Sequence, residues 1–148
     1  MAVRRKADGS TEETLIARYT YDEAGFRIKK DSTGKGVTWY VESAGGSVLY
    51  EEKGDGEYKE FVYAFGRHFA KVEGKLGGDG SERKKYFYHT DHLGSTIAVT
   101  NAAGEVVWRN DYTPFGGLTG EYGTEEHDAK YTGKDLDTET GLYYFNAR

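Results

Sequence analysis

The feature that most constrains how this chain folds is its punctuation: short stretches of alternating apolar and polar residues end, again and again, at clusters built on glycine. From Leu15 to Lys30 the sequence reads LIARYTYDEAGFRIKK. Ala17, Tyr19 and Tyr21 lie two apart, as do Phe26 and Ile28, so each half presents apolar groups to one face of a sheet. Between the halves, Asp22-Glu23-Ala24-Gly25 supplies a side-chain acceptor and a glycine free to take positive φ, which suits a hairpin loop.

The same grammar returns along the chain. VTWYV (37–41) and SVLYE (47–51) flank Gly45-Gly46, and YKEFVYAF (58–65) reaches Gly66 before Phe69 to Val72 resumes an extended pattern. Lys85 to Tyr88 and Ile97 to Thr100 enclose Thr90 to Ser95, and Asn101-Ala102-Ala103-Gly104 separates IAVT from EVVWRNDY (105–112). Five hairpins are expected. Tyr21, Tyr40, Tyr63, Tyr88 and Tyr112 fall 19, 23, 25 and 24 residues apart, the length of a hairpin with its connections, which points to a repetitive antiparallel architecture.

Composition explains what such a sheet would be made of. Aliphatic residues are sparse, but 13 Tyr and 2 Trp raise the aromatic share to 15%, so burial can come from amphipathic rings. Only one Pro accompanies 21 Gly, and no stretch combines helix periodicity with caps; Thr124 to Lys130 allows one polar turn at most. The expected fold is all-β, a single domain over 1–148 of consecutive antiparallel hairpins forming a twisted sheet, with minor or no helix. A flexible N-terminus over about 1–13, a glycine-rich loop over 74–82 and an excursion over 117–130 complete the layout.

Several classes are excluded. No window approaches the roughly 18 consecutive apolar residues of a membrane helix, and MAVRRKADG at the start has no apolar core of the kind a signal peptide needs. With no Cys there is neither a disulfide nor a zinc thiolate, and a net charge of −5 argues against a nucleic-acid surface despite the basic clusters around Phe65 to Lys71 and Arg83 to Tyr88.

The C-terminal half carries the most specific motifs: YHTDHLGSTIAVTNAAGEVVWRNDYTPFG (88–116) and YTGKDLDTETGLYYFNAR (131–148). These resemble the Rhs-associated core of bacterial Rhs/YD-repeat proteins, and YTYDEAGFRIKK resembles one tyrosine-aspartate repeat. Residue by residue, Tyr21, Asp22 and Gly25 match the repeat; Asp91, His92, Leu93, Gly94 and Ser95 match the DHLGS element; Tyr112, Pro114, Phe115 and Gly116 match YxPFG. Tyr131, Gly133, Lys134, Asp135, Asp137, Glu139, Thr140, Gly141, Leu142 and Tyr143 match the YTGKExDxETGLYY segment, with Asp135 where glutamate is commoner. The resemblance implies a structural role, since members build a long sheet that spirals into a hollow shell, which in toxin systems encloses a polymorphic C-terminal effector. It implies adjoining repeats and an enclosed effector as partners, an extracellular or cell-surface setting, and no cofactor. No match to the family's downstream self-cleavage region follows, so the chain is expected to be shell material, a fragment or a short copy.

Other chemistry is weighed against this. His92 beside Asp91 and Ser95 has the residue types of a hydrolytic site, but adjacent strand residues face opposite sides and no nucleophile elbow surrounds them. His89-x-x-His92 with Asp91, completed by Asp111 or His127, has metal-ligating types, yet histidines three apart converge on a helix rather than on a strand or turn. Asp135, Asp137 and Glu139 alternate as a solvated acidic edge would, with weak cation binding as the alternative. Pro114-Phe115-Gly116 reads as a strand end or as a proline-aromatic binding loop. Exposed Trp39, Trp108 or tyrosines would suit an adhesion module that stacks on carbohydrate or protein, and free strand edges would suit self-association.

Overall fold

A computed structural model describes residues 1–6, 13–113, 118–123, 136–137 and 142–143. Eleven strands form one sheet: β1 (Ala2–Lys6), β2 (Glu13–Tyr21), β3 (Arg27–Ser32), β4 (Gly36–Glu42), β5 (Val48–Lys53), β6 (Glu57–Ala64), β7 (Arg67–Lys75), β8 (Lys84–Thr90), β9 (Thr96–Asn101), β10 (Val106–Tyr112) and β11 (Leu118–Gly123). Their spatial order is their sequence order, and each neighbouring pair is antiparallel. The fold is thus all-β, with no helix among the described residues. Two further short strands, β12 (Leu136–Asp137) and β13 (Leu142–Tyr143), pair with each other.

Each of the five expected hairpins is present, and the connections between them are hairpins as well, so the sheet is a continuous meander. Strands also extend the sheet beyond those hairpins at both ends. Residues 1–13, read as a flexible lead-in, contain β1, which pairs with β2 because Val3 can sit opposite Ala17 on the ladder. The excursion over 117–130 begins instead with β11, which returns antiparallel to β10. The glycine-rich loop starts later than expected, after β7 has run on to Lys75.

Register places Tyr19, Tyr40, Tyr86 and Tyr88 on one face. Ala17, Tyr19, Tyr40, Val48, Phe61, Tyr86, Tyr88, Val99 and Trp108 are all buried there, in two clusters built on Tyr40, Val48 and Phe61 and on Tyr86, Tyr88, Val99 and Trp108. Within each cluster the side chains come from neighbouring strands and lie over their cross-strand partners, which is where large rings gain most. The opposite face leaves Trp39, Val41 and Val62 exposed.

One device recurs where the return strand leaves its turn. Tyr21 pairs with Arg27, Glu42 with Val48, Tyr63 with His68 and Thr90 with Thr96, and in each case the next register step skips a residue. The paired residues Arg27, Val48, His68 and Thr96 are buried, whereas the extra residues Ile28, Leu49, Phe69 and Ile97 are exposed. Such bulges raise the local twist. They also correct one expectation: Arg27, not Ile28, enters the buried face, with its guanidinium 4.2 Å from the centre of the Tyr40 ring.

The turn between β6 and β7 is shorter, with Phe65 at φ 53° and Gly66 at φ 73°. Two positive φ values make the hairpin turn that best fits strand twist, and glycine or asparagine takes that conformation more cheaply than an aromatic residue. Phe65 is also fully solvent-exposed, so its ring recovers nothing. Phe65→Asn is therefore expected to stabilise the chain by about 1 kcal/mol in thermal or urea unfolding. A loss of stability would show that the ring is needed.

Candidate functional site

The DHLGS segment forms the turn between β8 and β9. Asp91 N–H donates to Ser95 O at 2.9 Å and Gly94 N–H to Asp91 O at 3.1 Å, with Gly94 at φ 86°. Asp91 Oδ1 accepts from Leu93 N–H at 2.8 Å and from Ser95 N–H at 2.9 Å. The side chain thus caps its own turn, as short polar side chains do.

The same wiring appears three more times. Asp22 Oδ1 accepts from Phe26 N–H at 2.8 Å, Ser43 Oγ from Ser47 N–H at 3.1 Å, and Asn101 Oδ1 from Ala103 and Glu105 N–H at 2.9 and 3.0 Å. Each turn closes with the N–H of its fourth residue, Gly25, Gly46 or Gly104, donating to the carbonyl of its first. Asp91 therefore occupies a position that Ser and Asn fill equally well, which a catalytic carboxylate would not.

Around Asp91 the groups with catalytic residue types are not assembled. Ser95 is 1% exposed, while the His92 side chain projects into solvent. The His92 backbone is fixed from the neighbouring hairpin, since the Arg67 guanidinium donates to Asp91 O and His92 O, both at 3.1 Å. His89 lies on β8, with Nε2 3.1 Å from Thr100 Oγ1. Among the described residues no three His, Asp or Glu side chains converge as a metal site would require.

The remaining motif residues divide between the sheet and the segments outside the description. Tyr112 ends β10 and its hydroxyl donates to Thr96 O at 2.8 Å. Tyr63 does the same two hairpins earlier, donating to Val48 O at 2.9 Å. Both hydroxyls thus serve the backbone carbonyl at the preceding bulge. Tyr21 ends β2 opposite Arg27. Asp137 and Leu142 face each other in the β12–β13 ladder, as do Leu136 and Tyr143. Pro114, Phe115, Gly116, His127, Tyr131, Gly133, Lys134, Asp135, Glu139, Thr140 and Gly141, with the Thr124 to Lys130 turn, lie outside the described residues.

Two features were missed in the sequence. His68 is buried among aromatic rings, its centroid 5.4 Å from Phe61, 4.4 Å from Tyr63 and 5.1 Å from Tyr88, with Nε2 2.6 Å from the Tyr63 hydroxyl oxygen. Because that hydroxyl gives its proton to Val48 O, it accepts from His68, which fixes a proton on Nε2. His68 thereby joins the two aromatic clusters. Its place after a turn, equivalent to Val48 and Thr96, was the available signal. Lys71 is completely buried on the same face, with Nζ 2.6 Å from Glu73 Oε1 and 5.2 Å from the centre of the Tyr86 ring.

The exposed face carries a different arrangement. Tyr50 and Tyr58 stack with centroids 5.9 Å apart, and the Tyr50 hydroxyl donates to Glu52 Oε2 at 2.9 Å. Partial desolvation, that hydrogen bond and the Glu52 charge push the Tyr50 pKa from 10.0 up to about 12. The native state therefore keeps a proton that the unfolded state gives up near pH 10. The associated stability is complete below pH 10 and falls as pH rises toward 12. Phenolate absorbance should show Tyr50 among the late-ionising tyrosines, and Glu52→Gln should bring that one phenol back toward the ordinary range. One of the two tryptophans offered as exposed stackers is corrected here: Trp108 is 1% exposed, inside the aromatic cluster, and only Trp39, at 49%, meets solvent.

Comparison with known proteins gives this geometry a family. Residues 86–122 match the family described as RHS protein. The chain is 34% identical over 140 residues to the tRNA nuclease WapA of Bacillus subtilis strain 168, covering 93% of this chain and 6% of that protein. It is 37% identical over 151 residues to salivary gland surface protein 1 of Aedes aegypti, covering 93% of this chain and 4% of that protein. The crystal structure of TcdB2-TccC3-TEV shares the fold, with a TM-score of 0.67 at 17% identity, covering 97% of this chain and 7% of that one. The structure of TcdB2-TccC3 without its hypervariable C-terminal region superposes with a TM-score of 0.66 at 18% identity. The chain belongs to the Rhs family and spans a small fraction of the length of these relatives.

Proposed function

We propose that this chain is a wall segment of an Rhs-type shell and performs no turnover of its own. The observation that carries the proposal is the four-fold recurrence of one turn, in which the Asp91 carboxylate of the DHLGS motif is spent on backbone N–H groups just as Asp22, Ser43 and Asn101 are. On this reading the other matched residues act the same way: Tyr21 and Tyr112 as cross-strand cover, Gly25 and Gly94 as turn formers, and the C-terminal motif from Tyr131 to Tyr143 as further wall. The nuclease named for the Bacillus relatives then resides in the part of those proteins that this chain does not match.

The partners proposed are adjoining hairpins of a longer chain, which would pair with the sheet's terminal strands β1 and β11, and an effector enclosed by the completed shell. The setting is extracellular or at a cell surface, in keeping with the surface protein among the relatives. Among the described residues no helix is long and apolar enough to cross a membrane.

The test has two arms. Incubated with mixed tRNA and divalent cations, the 148-residue chain should leave the RNA intact, and cleavage that tracks with the purified chain would overturn the proposal. Extended by a flanking hairpin at either end, the chain should unfold at higher urea concentration than alone, because each added repeat covers an edge and contributes an interface. An unchanged midpoint would count equally against it.

A further inference from the structure

We propose that the Asp79-Gly80 step in the β7–β8 loop is a site of covalent modification, where aspartate converts to isoaspartate and so acquires the mark that isoaspartyl methyltransferases recognise. This goes beyond the shell reading and does not depend on it. Two Asp-Gly steps fall among the described residues, Asp55-Gly56 and Asp79-Gly80, while Asp8-Gly9 lies outside them. Glycine leaves its amide nitrogen open to attack by or on the preceding side chain, and Gly56 and Gly80 share a positive φ, 84° and 81°. What separates the two steps is the freedom of that nitrogen.

In the β5–β6 turn the nitrogen is committed. Gly56 N–H donates to Lys53 O at 2.9 Å, and Gly56 O accepts from Leu76 N–H at 2.9 Å. The Lys53–Glu57 ion pair, at 2.8 Å, closes the same turn. In the β7–β8 loop, Gly80 N–H has no hydrogen-bond partner among the described residues, and residues 76–83 belong to no ladder. The Asp79 side chain is nevertheless held in place, with Oδ1 accepting from Ser81 N–H at 2.8 Å and from the Ser81 hydroxyl. A carboxyl bonded two residues ahead lies over the intervening peptide, which brings Cγ toward the Gly80 nitrogen. Asp55 Oδ1 makes a similar bond to Glu57 N–H at 3.1 Å, so the carboxyl alone does not distinguish the two sites.

The bond that forms joins Gly80 N to Asp79 Cγ, and the bond that breaks is from Cγ to a carboxyl oxygen. That oxygen leaves as water, carrying the amide proton and the carboxyl proton, and a five-membered imide remains. Water then opens the ring. Addition at the side-chain carbonyl restores aspartate, whereas addition at the main-chain carbonyl leaves Gly80 attached through Cγ, with one more methylene in the backbone and the carboxylate kept. The Ser81 bonds hold the Asp79 carboxyl below its ordinary range, so the acid form that reacts is scarce near neutral pH. The change is therefore slow, a mark of age. Because the loop lies outside the ladders, the sheet tolerates it.

The test ages the 148-residue chain at neutral pH and physiological temperature, then labels isoaspartate with a purified methyltransferase and a labelled methyl donor. Trypsin separates the two sites, since cleavage after Lys53, Lys59, Lys75 and Arg83 releases residues 54–59 and 76–83 as different peptides. The expected result is label in 76–83 exceeding that in 54–59 by about tenfold, with the unfolding midpoint of the aged chain little changed. Aged in guanidinium, where the Gly56 bond is gone, the two peptides should draw level. Asp79→Glu, which would need a slower-forming six-membered imide, should remove the label from 76–83. The proposal fails if 76–83 gains no label, if 54–59 gains as much in the folded chain, if the tenfold preference persists in guanidinium, or if Asp79→Glu keeps the label.

Discussion

Trp108→Ala should cost about 3–5 kcal/mol, the usual penalty for removing a fully buried large ring. Trp108 is 1% exposed and packs with Tyr86, Tyr88 and Val99, while Val107 and Tyr112 lean on the same cluster. Its cluster partners stand on the ladder-bound strands β8, β9 and β10, so the cavity left by the ring closes only in part. For a chain of this size the loss corresponds to a fall in Tm of roughly 10 °C. It is also a large share of the total stability of an ordinary domain, about 5–15 kcal/mol. Trp39→Ala removes the same side chain from the exposed face and should stay within about 1 kcal/mol, chiefly the cation–π contact with Lys29. Urea unfolding of the two variants in parallel measures the asymmetry, and similar midpoints would mean that the buried face does not hold the sheet together.

That asymmetry was invisible in the sequence, although much else was legible. Alternation and glycine punctuation located the hairpins because a period of two and a positive-φ requirement are both local properties. The tyrosine spacing was informative for a related reason: Tyr21, Tyr63 and Tyr112 stand near the ends of the first strands of alternate hairpins. The 19-to-25 residue irregularity follows from turns of different length, with Phe65-Gly66 replacing the longer loop that Asp22, Ser43 and Asp91 begin.

What the sequence hides is register. A one-residue bulge exchanges the faces of everything beyond it, which is why Arg27 is buried where Ile28 was expected. Burial of His68 and Lys71 was hidden similarly, since neither residue type signals a core position and both owe theirs to rings supplied by neighbouring strands. The turn role of Asp91 was within reach of local reasoning, whereas Arg67 as the brace of that turn comes from a hairpin 24 residues away.

Asp91→Ala should destabilise the chain by about 2 kcal/mol, because it strips a charged acceptor from two backbone N–H groups at once. The Ser95 N–H is the costlier one to abandon, since Ser95 is buried and water cannot replace the lost acceptor easily. Asp91→Asn keeps an oxygen in place, as Asn101 does in the next turn, and should lose less than half as much. His92→Ala should change stability by no more than about 0.5 kcal/mol, because only the backbone carbonyl of His92 is engaged, by Arg67. The order Asp91→Ala, Asp91→Asn, His92→Ala in urea midpoints, with faster amide exchange at Leu93 and Ser95 in the first, identifies the motif as a turn lock. A catalytic Asp-His pair predicts the reverse pattern, in which both alanine variants fold as well as the parent and differ from it only in turnover.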